Sequence, residues 1–351
     1  GQRCSALRCL YVQEDIAPSL EQMLIGAMEE LQIGDPALLS TDVGPVINAQ
    51  ARAGIDQHIA RARVEGRLVH QLAAPTTGHF VGPALIRLQS IADLKAEVFG
   101  PVLHIVTFAA DEIDKVITAV NATGYGLTFG LHSRIDGRVQ HVADRVAAGN
   151  IYVNRNQIGA IVGSQPFGGE GLSGTGPKAG GPLYLPRFSK TPAARFDDSD
   201  PQVHCSLMQL EQMMLNAPAA AVLPSEVLPG PTGELNRLSR HARPPLLCLG
   251  PGPEARRQQV SEVQALGGVA VAVEGALGPD VLRAVSDIAG VVWWGDRETA
   301  RRLATALCAR DGALVPVITD HLDRAHAVHE RHLCVDTTAA GGNAGLLAGQ
   351  A

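Results

Sequence analysis

The sequence has 351 residues, of which 46% are hydrophobic and 18% charged, and its formal net charge is −6. This length and composition are typical of a globular protein with about two domains, and an acidic balance without a basic block argues against nucleic-acid binding. No uncharged apolar run reaches the roughly 18 residues that a membrane-spanning helix needs, and the N-terminus lacks the pattern of a signal peptide.

The cysteines and histidines show no metal-ligand spacing. The twelve histidines include no H-E-x-x-H motif, and no two cysteines form a C-x-x-C pair. Scattered cysteines in a chain of this size are also untypical of a disulfide scaffold. We therefore expect reduced thiols, no bound metal and a cytoplasmic location. The six cysteines are Cys4, Cys9, Cys205, Cys248, Cys308 and Cys334.

Predicted helices and strands alternate through the first 153 residues. Ser19 and Gln22 have the spacing of a capping box, which predicts that a helix begins there and ends at residues 34–36. Its inward face would carry Leu20 and Leu24. Periodicity predicts the other elements: a helix over Ala49–Val64 with Ile55, Ile59 and Ala62 inward, a strand over Val102–Phe108, a helix over Asp111–Thr123 and a strand over Ile151–Val153.

Irregular stretches follow this alternation. Residues 154–181 form a loop rich in Gly, Ser and Pro, and a loop of this length in a compact domain is usually functional or disordered. Residues 189–202 have the composition of a linker. A helix is predicted over Leu207–Leu215, and Pro224–Asn236 is predicted to be irregular surface chain.

Short apolar runs separated by helical segments characterise the next region. Apolar strands that alternate with helices indicate a parallel sheet covered on both faces, as in a doubly wound α/β domain. The final residues, from about 330, do not continue this repeat and are predicted to form a separate tail. The four predicted strands are Leu246–Leu249, Val269–Val273, Val291–Trp294 and Leu314–Ile318.

A turn after the first of these strands has the outline of a dinucleotide fingerprint. GPGPEA, residues 250–255, fits G-x-G-x-x-A, and Glu274 ends the next strand, where a ribose-binding acid is expected. Pro251 removes a backbone N–H that would otherwise bind phosphate, whereas Pro253 suits a first helical turn. These residues favour a nucleotide-binding type of fold over an actual nucleotide site.

Three motifs in order along the chain carry a family resemblance. Cys4 lies in GQRC; Arg3 beside it favours a thiolate, although a lone cysteine is more often a buried apolar residue. EVFGPV begins at Glu97, and SQPFGGEG begins at Ser164. Together they resemble the aldehyde dehydrogenase superfamily, which has a cysteine in G-Q-x-C, a glutamate in E-x-F-G-P and a phenylalanine in P-F-G-G.

Longer stretches are similar to the C-terminal part of the proline utilisation A family, bacterial bifunctional flavoenzymes that join a proline dehydrogenase to an L-glutamate γ-semialdehyde dehydrogenase. They are NIYVNRNQIGAIVG, LPGPTGELN and ERHLCVDTTAAGGNA. The resemblance implies an α/β aldehyde dehydrogenase catalytic domain with a parallel sheet over residues 1–188, which includes a substrate-anchor loop over 154–181. It further implies a linker and irregular segment over 189–236, a doubly wound Rossmann-like C-terminal domain over 237–329 and an oligomerisation tail over 330–351.

The resemblance also implies roles for individual residues. Cys4 is the expected nucleophile, since a thiolate attacks an aldehyde carbon and later leaves from a thioester. Glu97 is expected to bind the ribose hydroxyls of NAD, with Phe99 packed on the cofactor. Without the resemblance, Glu97 would be interpreted as a solvated loop carboxylate.

Substrate-binding residues follow in the same way. Ser5, Gly159 and Ala160 match the positions that hold the α-carboxylate of glutamate semialdehyde, for which backbone N–H groups of a glycine-containing loop are suitable donors. Because relatives often have serine at the position of Ala160, this anchor is assigned to its backbone. Phe167 is expected to form one wall of the aldehyde pocket, and core packing is its alternative role.

NAD is thus the expected cofactor, with FAD bound only by the proline dehydrogenase part. The expected partners are a small aldehyde, the rest of the polypeptide and further copies in a homo-oligomer. No membrane span is expected, and this portion is expected to bind no nucleic acid. Most of the family's NAD-binding domain and an asparagine that donates to the oxyanion lie outside the 351 residues, so we expect these residues alone to be inactive. Ala160 leaves open a dehydrogenase for another aldehyde, and a non-catalytic oligomerisation or cavity-covering module is the remaining alternative.

Overall fold

The structure is a computed structural model that describes residues 1–158, 160–174, 176–189, 195–196, 204–219, 223–274 and 276–338. The chain divides into two compact units. The first unit comprises residues 1–123 and 144–146, and the second comprises residues 124–143 and 147–351. Among the described residues, none of the helices has the length and apolar character needed to cross a membrane.

The first unit contains a four-stranded sheet in the order β1-β4-β3-β2. Strand β4 pairs in parallel with β1 and β3, whereas β2 is antiparallel to β3. The predicted strand over Val102–Phe108 is confirmed as β4. The elements are β1 (Cys9–Gln13), α1 (Ala17–Glu29), α2 (Ala49–Val64), β2 (Leu68–Gln71), β3 (Ala84–Arg87), a 3₁₀ turn (Ile91–Asp93), β4 (Val102–Phe108) and α3 (Ile113–Asn121).

Helix α2 forms where periodicity predicts it. The Asn48 side chain accepts a hydrogen bond from the Ala51 N–H at 2.8 Å, which caps the first turn. Ile55, Ile59 and Ala62 lie on one face at helical spacing, and all three are buried in a cluster with residues of β3 and β4. The prediction of this helix and its inward face is confirmed.

Helix α1 differs from the prediction at both ends. It begins at Ala17, two residues before the predicted cap at Ser19, and no side chain caps it. Pro18 in its first turn favours this start, because proline has the helical φ and its missing N–H is not needed there. The helix ends at Glu29, several residues before the predicted stop. The predicted inward face is nevertheless present, since Leu20 and other apolar side chains pack against the sheet.

The second unit contains a mixed five-stranded sheet and a four-stranded parallel sheet. Its elements are β5 (Tyr125–Gly126), β6 (Thr128–Leu131), α4 (Asp136–Arg145, whose end belongs to the first unit), β7 (Asn150–Val153), β8 (Glu170–Gly171), a 3₁₀ turn (Leu185–Phe188), β9 (His204–Cys205), α5 (Leu207–Leu215), β10 (Glu226–Leu228), β11 (Glu234–Ala242), β12 (Leu246–Gly250), α6 (Gly252–Ala265), β13 (Ala270–Ala272), β14 (Ala276–Leu277), α7 (Pro279–Ala284), β15 (Gly290–Trp293), α8 (Arg297–Cys308), β16 (Val317–Ile318), α9 (Arg324–Ala327) and β17 (Val328–Asp336).

The five-stranded sheet overturns two local predictions. Its order is β10-β11-β17-β7-β6, so Pro224–Asn236, predicted to be irregular, contributes β10 and the start of β11. Residues 330–336, predicted to begin a separate tail, lie in β17, which pairs antiparallel with β11 and parallel with β7. Residues 339–351 of that tail lie outside the described part. The division into units also differs from the predicted limit at residue 188, because strands from both sides of it share this sheet.

The four-stranded parallel sheet confirms the doubly wound α/β prediction. Its order is β13-β12-β15-β16, with α6, α7 and α8 between successive strands. Leu247 and Val291 lie in one buried cluster, while Leu246 and Val292 lie in another. Because adjacent strand residues point to opposite faces, both faces of this sheet are buried.

Candidate active site

The predicted nucleophile lies in the loop that precedes β1. In this nucleophile loop, residues 1–8, Cys4 is exposed and Ser5 is buried. The Gln2 side chain accepts a hydrogen bond from the Ile47 N–H at 2.9 Å and donates one to the Pro45 carbonyl at 3.1 Å. These contacts fix the loop to the chain before α2 and leave the Cys4 thiol accessible to a substrate.

Arg8 connects the nucleophile loop to both predicted cofactor-binding residues. Its Nη1 and Nη2 atoms donate to the carbonyls of Gly1 at 2.5 Å and Arg3 at 2.8 Å. Its Nε donates to Oε1 of Glu97 at 2.9 Å, and its guanidinium carbon lies 4.7 Å from the centre of the Phe99 ring. The Arg8 side chain is only 15% exposed. One guanidinium therefore binds two backbone carbonyls of the nucleophile loop and connects this loop to the EVFGPV motif.

A pair of histidines supports the backbone of Arg8. His104 Nδ1 lies 2.8 Å from the Arg8 carbonyl, which only accepts, so this nitrogen carries the proton of the neutral ring. Its Nε2 then accepts from Nε2 of His58 at 2.9 Å. Burial lowers the pKa of His104 to about 4 and also lowers the pKa of His58. The pair is therefore neutral at neutral pH.

A cavity of about 600 Å³ lies beside Glu97 and Phe99. The Glu97 side chain is 55% exposed, and Phe99 is also exposed. The lining of this cavity combines a carboxylate that can accept hydrogen bonds from hydroxyl groups, an aromatic face, and cations that can attract phosphate. These residues fit the ribose and nicotinamide end of a dinucleotide. The cationic and imidazole side chains of the lining are His58, Arg61, Arg67 and Lys95.

In the second unit, the loop around Phe167 is held by a buried lysine. Phe167 is half-buried and exchanges two backbone hydrogen bonds with Ala179, at 3.0 and 2.8 Å. Lys178, which is 2% exposed, donates from Nζ to the Gly149 carbonyl at 2.7 Å, to Oδ1 of Asn150 at 2.8 Å and to the Gly168 carbonyl. Burial lowers the pKa of Lys178 to about 7. Three acceptors around one ammonium fix the SQPFGGEG segment to the start of β7.

The remaining predicted substrate residues lie in the substrate-anchor loop. Ala160 is exposed, which leaves its backbone accessible. Gly159 lies outside the described residues. In the first unit, the structure therefore connects the loop that carries Cys4 and Ser5 to the EVFGPV motif. In the second unit, Ala160 and Phe167 lie in one loop.

Arg8 and Lys178 were not among the predicted site residues. Both are charged side chains on or beside motif segments, and sequence patterns mark such residues as solvated. Arg8 precedes the apolar strand β1, and Lys178 follows a run of glycines. The only available signal was a single charge next to a motif, which is too common to be specific.

The dinucleotide-like turn has few free donors. The Gly250 N–H donates to Oε1 of Gln259 at 3.0 Å, and Nε2 of the same glutamine donates to the Gly250 carbonyl at 2.9 Å. Gln259 is fully buried, and neither Pro251 nor Pro253 has an N–H. A phosphate cradle needs convergent N–H groups, so the contacts of this turn support the fold-only interpretation.

Comparison with known proteins connects this geometry to a family. The bifunctional protein PutA of Salmonella typhimurium is 39% identical over 406 aligned residues, covering 99% of this chain and 31% of that protein. The 1-pyrroline-5-carboxylate dehydrogenase of a Geobacillus strain is 36% identical over 188 residues, covering 53% of this chain and 36% of the relative. The chain thus spans about a third of the length of these curated relatives.

A solved structure supports the same relationship. The crystal structure of a mutant of Bradyrhizobium japonicum proline utilization A (PutA) is 56% identical, with a TM-score of 0.52, over 53% of this chain and 19% of that one. The family model described as the aldehyde dehydrogenase family matches residues 1–193, more than half of the chain, including GQRC, EVFGPV and SQPFGGEG. The family match and these relatives together show that the chain belongs to the aldehyde dehydrogenase family.

Proposed function

We propose that this chain supplies the catalytic part of an NAD-dependent L-glutamate γ-semialdehyde dehydrogenase in proline catabolism, within a longer bifunctional polypeptide. The similarity to PutA over nearly the whole chain and to 1-pyrroline-5-carboxylate dehydrogenases over half of it supports this substrate. The observation that carries the proposal is the exposed Cys4 on a loop that Arg8 connects to Glu97 and Phe99.

Cys4 performs the covalent chemistry of this proposal. Its thiolate attacks the aldehyde carbon and forms a tetrahedral hemithioacetal, whose oxyanion accepts a hydrogen bond from the Cys4 backbone N–H. NAD⁺, when bound, accepts the hydride. The thioester left on Cys4 is attacked by water, which releases the carboxylic acid and regenerates the thiol. The sum is aldehyde, NAD⁺ and water giving carboxylate, NADH and protons.

The other proposed residues bind and orient. Glu97 accepts hydrogen bonds from the ribose hydroxyls, and Phe99 packs against the cofactor at the cavity described above. Phe167 forms a wall of the aldehyde pocket. Ser5, with the backbone of Gly159 and Ala160, holds the α-carboxylate of the substrate. Neutral donors suit this task, because they orient a carboxylate without trapping it as a cation would.

The wider setting follows from the same relatives. We propose that FAD belongs to a proline dehydrogenase part elsewhere in the polypeptide, that the protein is cytoplasmic and that it forms a homo-oligomer. Residues 330–336 of the predicted tail lie in β17, so the proposed oligomerisation segment is limited to the residues that follow this strand. The family as a whole uses NAD or NADP, and NAD is the form proposed for this chain.

The test uses the full natural polypeptide and the Cys4→Ala substitution. NADH formation from L-glutamate γ-semialdehyde is expected to fall to background, because no other group on the nucleophile loop can form the thioester. Cys308→Ala is the matched control, since Cys308 is also a free, exposed cysteine but lies in α8 of the second unit. Substantial NADH formation by Cys4→Ala, or an equal loss in both variants, would overturn the proposal.

A further inference from the structure

One carboxylate outside the predicted site contacts both ends of the exposed part of the substrate-anchor loop. Glu234, the first residue of β11, is 13% exposed. Its Oε1 accepts hydrogen bonds from Nε2 of Gln165 and from Nδ2 of Asn236, each at 2.8 Å. Its Oε2 accepts from Nη1 of Arg155 in an ion pair. Arg155 and Gln165 flank residues 156–164, named here the anchor segment.

A second contact point closes the base of the anchor segment. The sulfur of Cys334, in β17, lies 3.2 Å from Nη1 of Arg155 and 3.6 Å from Nε2 of Gln165. Gln165 is 1% exposed, and Cys334 is fully buried. The two ends of the anchor segment therefore meet over a buried polar cluster that β11 and β17 provide.

Several side chains of the anchor segment are exposed to solvent. Ile158, Ala160, Ile161 and Val162 are exposed, so these four side chains are not packed into a core. Near its second end, the Gln165 N–H donates to the Ile161 carbonyl at 2.7 Å, and the Gly163 N–H donates to the Gly180 carbonyl at 3.1 Å. The position of the backbone at Ala160 therefore depends on how the flanking residues Arg155 and Gln165 are held, together with the contact at Gly163.

Charge at the base is balanced by Glu234. Burial opposes ionisation of this carboxyl, but hydrogen bonds from Asn236 and Gln165 and the positive charge of Arg155 lower its pKa. The ionised carboxylate neutralises Arg155 directly below the segment that is proposed to bind an anionic group. Without it, a partly buried guanidinium would be left unpaired, which is costly and would attract a substrate carboxylate to the wrong position.

We propose that Glu234 is a positioning residue for substrate selection. By fixing Arg155 and Gln165 together, it sets the geometry of the anchor segment and hence the affinity for the carboxylate of the substrate. The inference rests on the proposed function, since it assumes that this segment binds the α-carboxylate. It assigns a role to the first residue of β11, which lies in the LPGPTGELN stretch and in none of the motifs around Cys4, Glu97 and Phe167.

The test is Glu234→Gln in the full natural polypeptide. Glutamine keeps the size of the side chain but removes the charge and presents an amide where Oε2 accepts from Arg155. We measure kcat and KM for L-glutamate γ-semialdehyde, for propanal and for NAD. Because a shift of about 1 Å in a binding group costs up to about 100-fold, kcat/KM for the semialdehyde is expected to fall about 10- to 100-fold, mainly through KM. The values for propanal, which has no carboxylate, and for NAD are expected to be unchanged.

The matched control is Glu226→Gln. Glu226 lies in β10, which pairs with β11, and its ion-pair partner is Arg240 at 3.0 Å, a residue outside the anchor segment. It is expected to behave as wild type. Equal losses for propanal and the semialdehyde in Glu234→Gln, or no loss for either, would overturn the inference.

A second variant covers failure of Glu234→Gln to fold. Arg155→Gln removes the other charge, and the double variant Arg155→Gln/Glu234→Gln leaves no unpaired ion. If both residues act through their shared ion pair, the KM for the semialdehyde in the double variant is expected to be no higher than that of the worse single variant. Additive increases of this KM in the double variant would contradict a shared role. Cys4→Ala keeps the two hypotheses apart. Activity in that variant would refute Cys4 as the nucleophile, whereas the role of Glu234 is tested separately, by the comparison of propanal with the semialdehyde in Glu234→Gln.

Discussion

Arg8 shows how one side chain organises the first half of the candidate site. Three of its five N–H donors bind oxygens that belong to Gly1, Arg3 and Glu97, and its planar face lies over Phe99. Only a guanidinium has this forked set of donors together with a flat face, so lysine is not an equivalent replacement. The distance between the nucleophile loop and the cofactor cavity thus depends on one residue.

Arg8→Lys is expected to raise the KM for NAD and to slow alkylation of Cys4, because a single ammonium cannot reach all three oxygens. With a displacement of about 1 Å, kcat/KM for NAD is expected to fall about 10- to 100-fold. Steady-state kinetics and the rate of iodoacetamide labelling at Cys4 check both effects. Arg87→Lys is the control, because Arg87 pairs with Glu21 at 2.7 Å on the surface of the same unit. Unchanged kinetics in Arg8→Lys would contradict the role of the guanidinium.

At the scale of elements, α2 and β4 meet through the His58–His104 pair. This contact joins a helix that periodicity predicts correctly to a strand that is also predicted correctly, but neither pattern marks a polar contact between them. A histidine at an inward position is not distinguishable by spacing from one that faces solvent. Burial and the fixed Arg8 carbonyl make the pair neutral and complementary, and both conditions arise only when the elements pack.

The buried His104 is expected to make this unit less stable in acid. Its pKa is about 4 in the folded state because of burial, against 6.5 in the unfolded chain. Between these values the unfolded state binds more protons, so stability is fully present above pH 6.5 and falls as the pH drops toward 4. At 1.36 kcal/mol per pKa unit, the loss is on the order of 3 kcal/mol.

Hydrogen exchange of peptides from α2 and β4 at several pH values measures this effect. In wild type, protection should decrease from pH 6.5 to 4. His104→Gln removes the titrating group, so its protection is expected to be lower at neutral pH and to vary less over that range. Parallel pH profiles for the two proteins would show that His104 is not responsible.

At the scale of the whole molecule, the second unit depends on chain from both halves of the sequence. Strand β17 lies between β7, which precedes the predicted domain limit at 188, and β11, which follows it. Its residues VHERHLCVD include three charged side chains and two histidines, a composition that does not predict a central strand. Glu330 and His332 are nevertheless buried there. The same sheet carries the base of the anchor segment, so the fold and the candidate substrate site are linked.

Truncation of the natural polypeptide after Ala327 is expected to abolish both folding of this unit and dehydrogenase activity. Removal of β17 leaves β7 and β11 without their shared neighbour and exposes many unpaired backbone groups. Soluble yield and NADH formation measure the outcome. Truncation after Thr338, which retains all of β17, is the comparison. Wild-type yield and activity in the variant truncated after Ala327 would contradict a structural role for β17.

Local sequence by itself determined the elements and motifs whose information is contiguous. Helix α2, strand β4, the apolar strands of the parallel sheet, and the motifs around Cys4, Glu97 and Phe167 depend on periodicity or on a few adjacent residues. The strands β10 and β17 were not predictable in this way, because tertiary packing outweighs weak local signals. Only the tertiary structure decided that Arg8 binds Glu97 and that Glu234 joins Arg155 to Gln165. Each of these contacts joins residues 69 or more positions apart, and polar partners at such separations are set by how the chain folds back on itself.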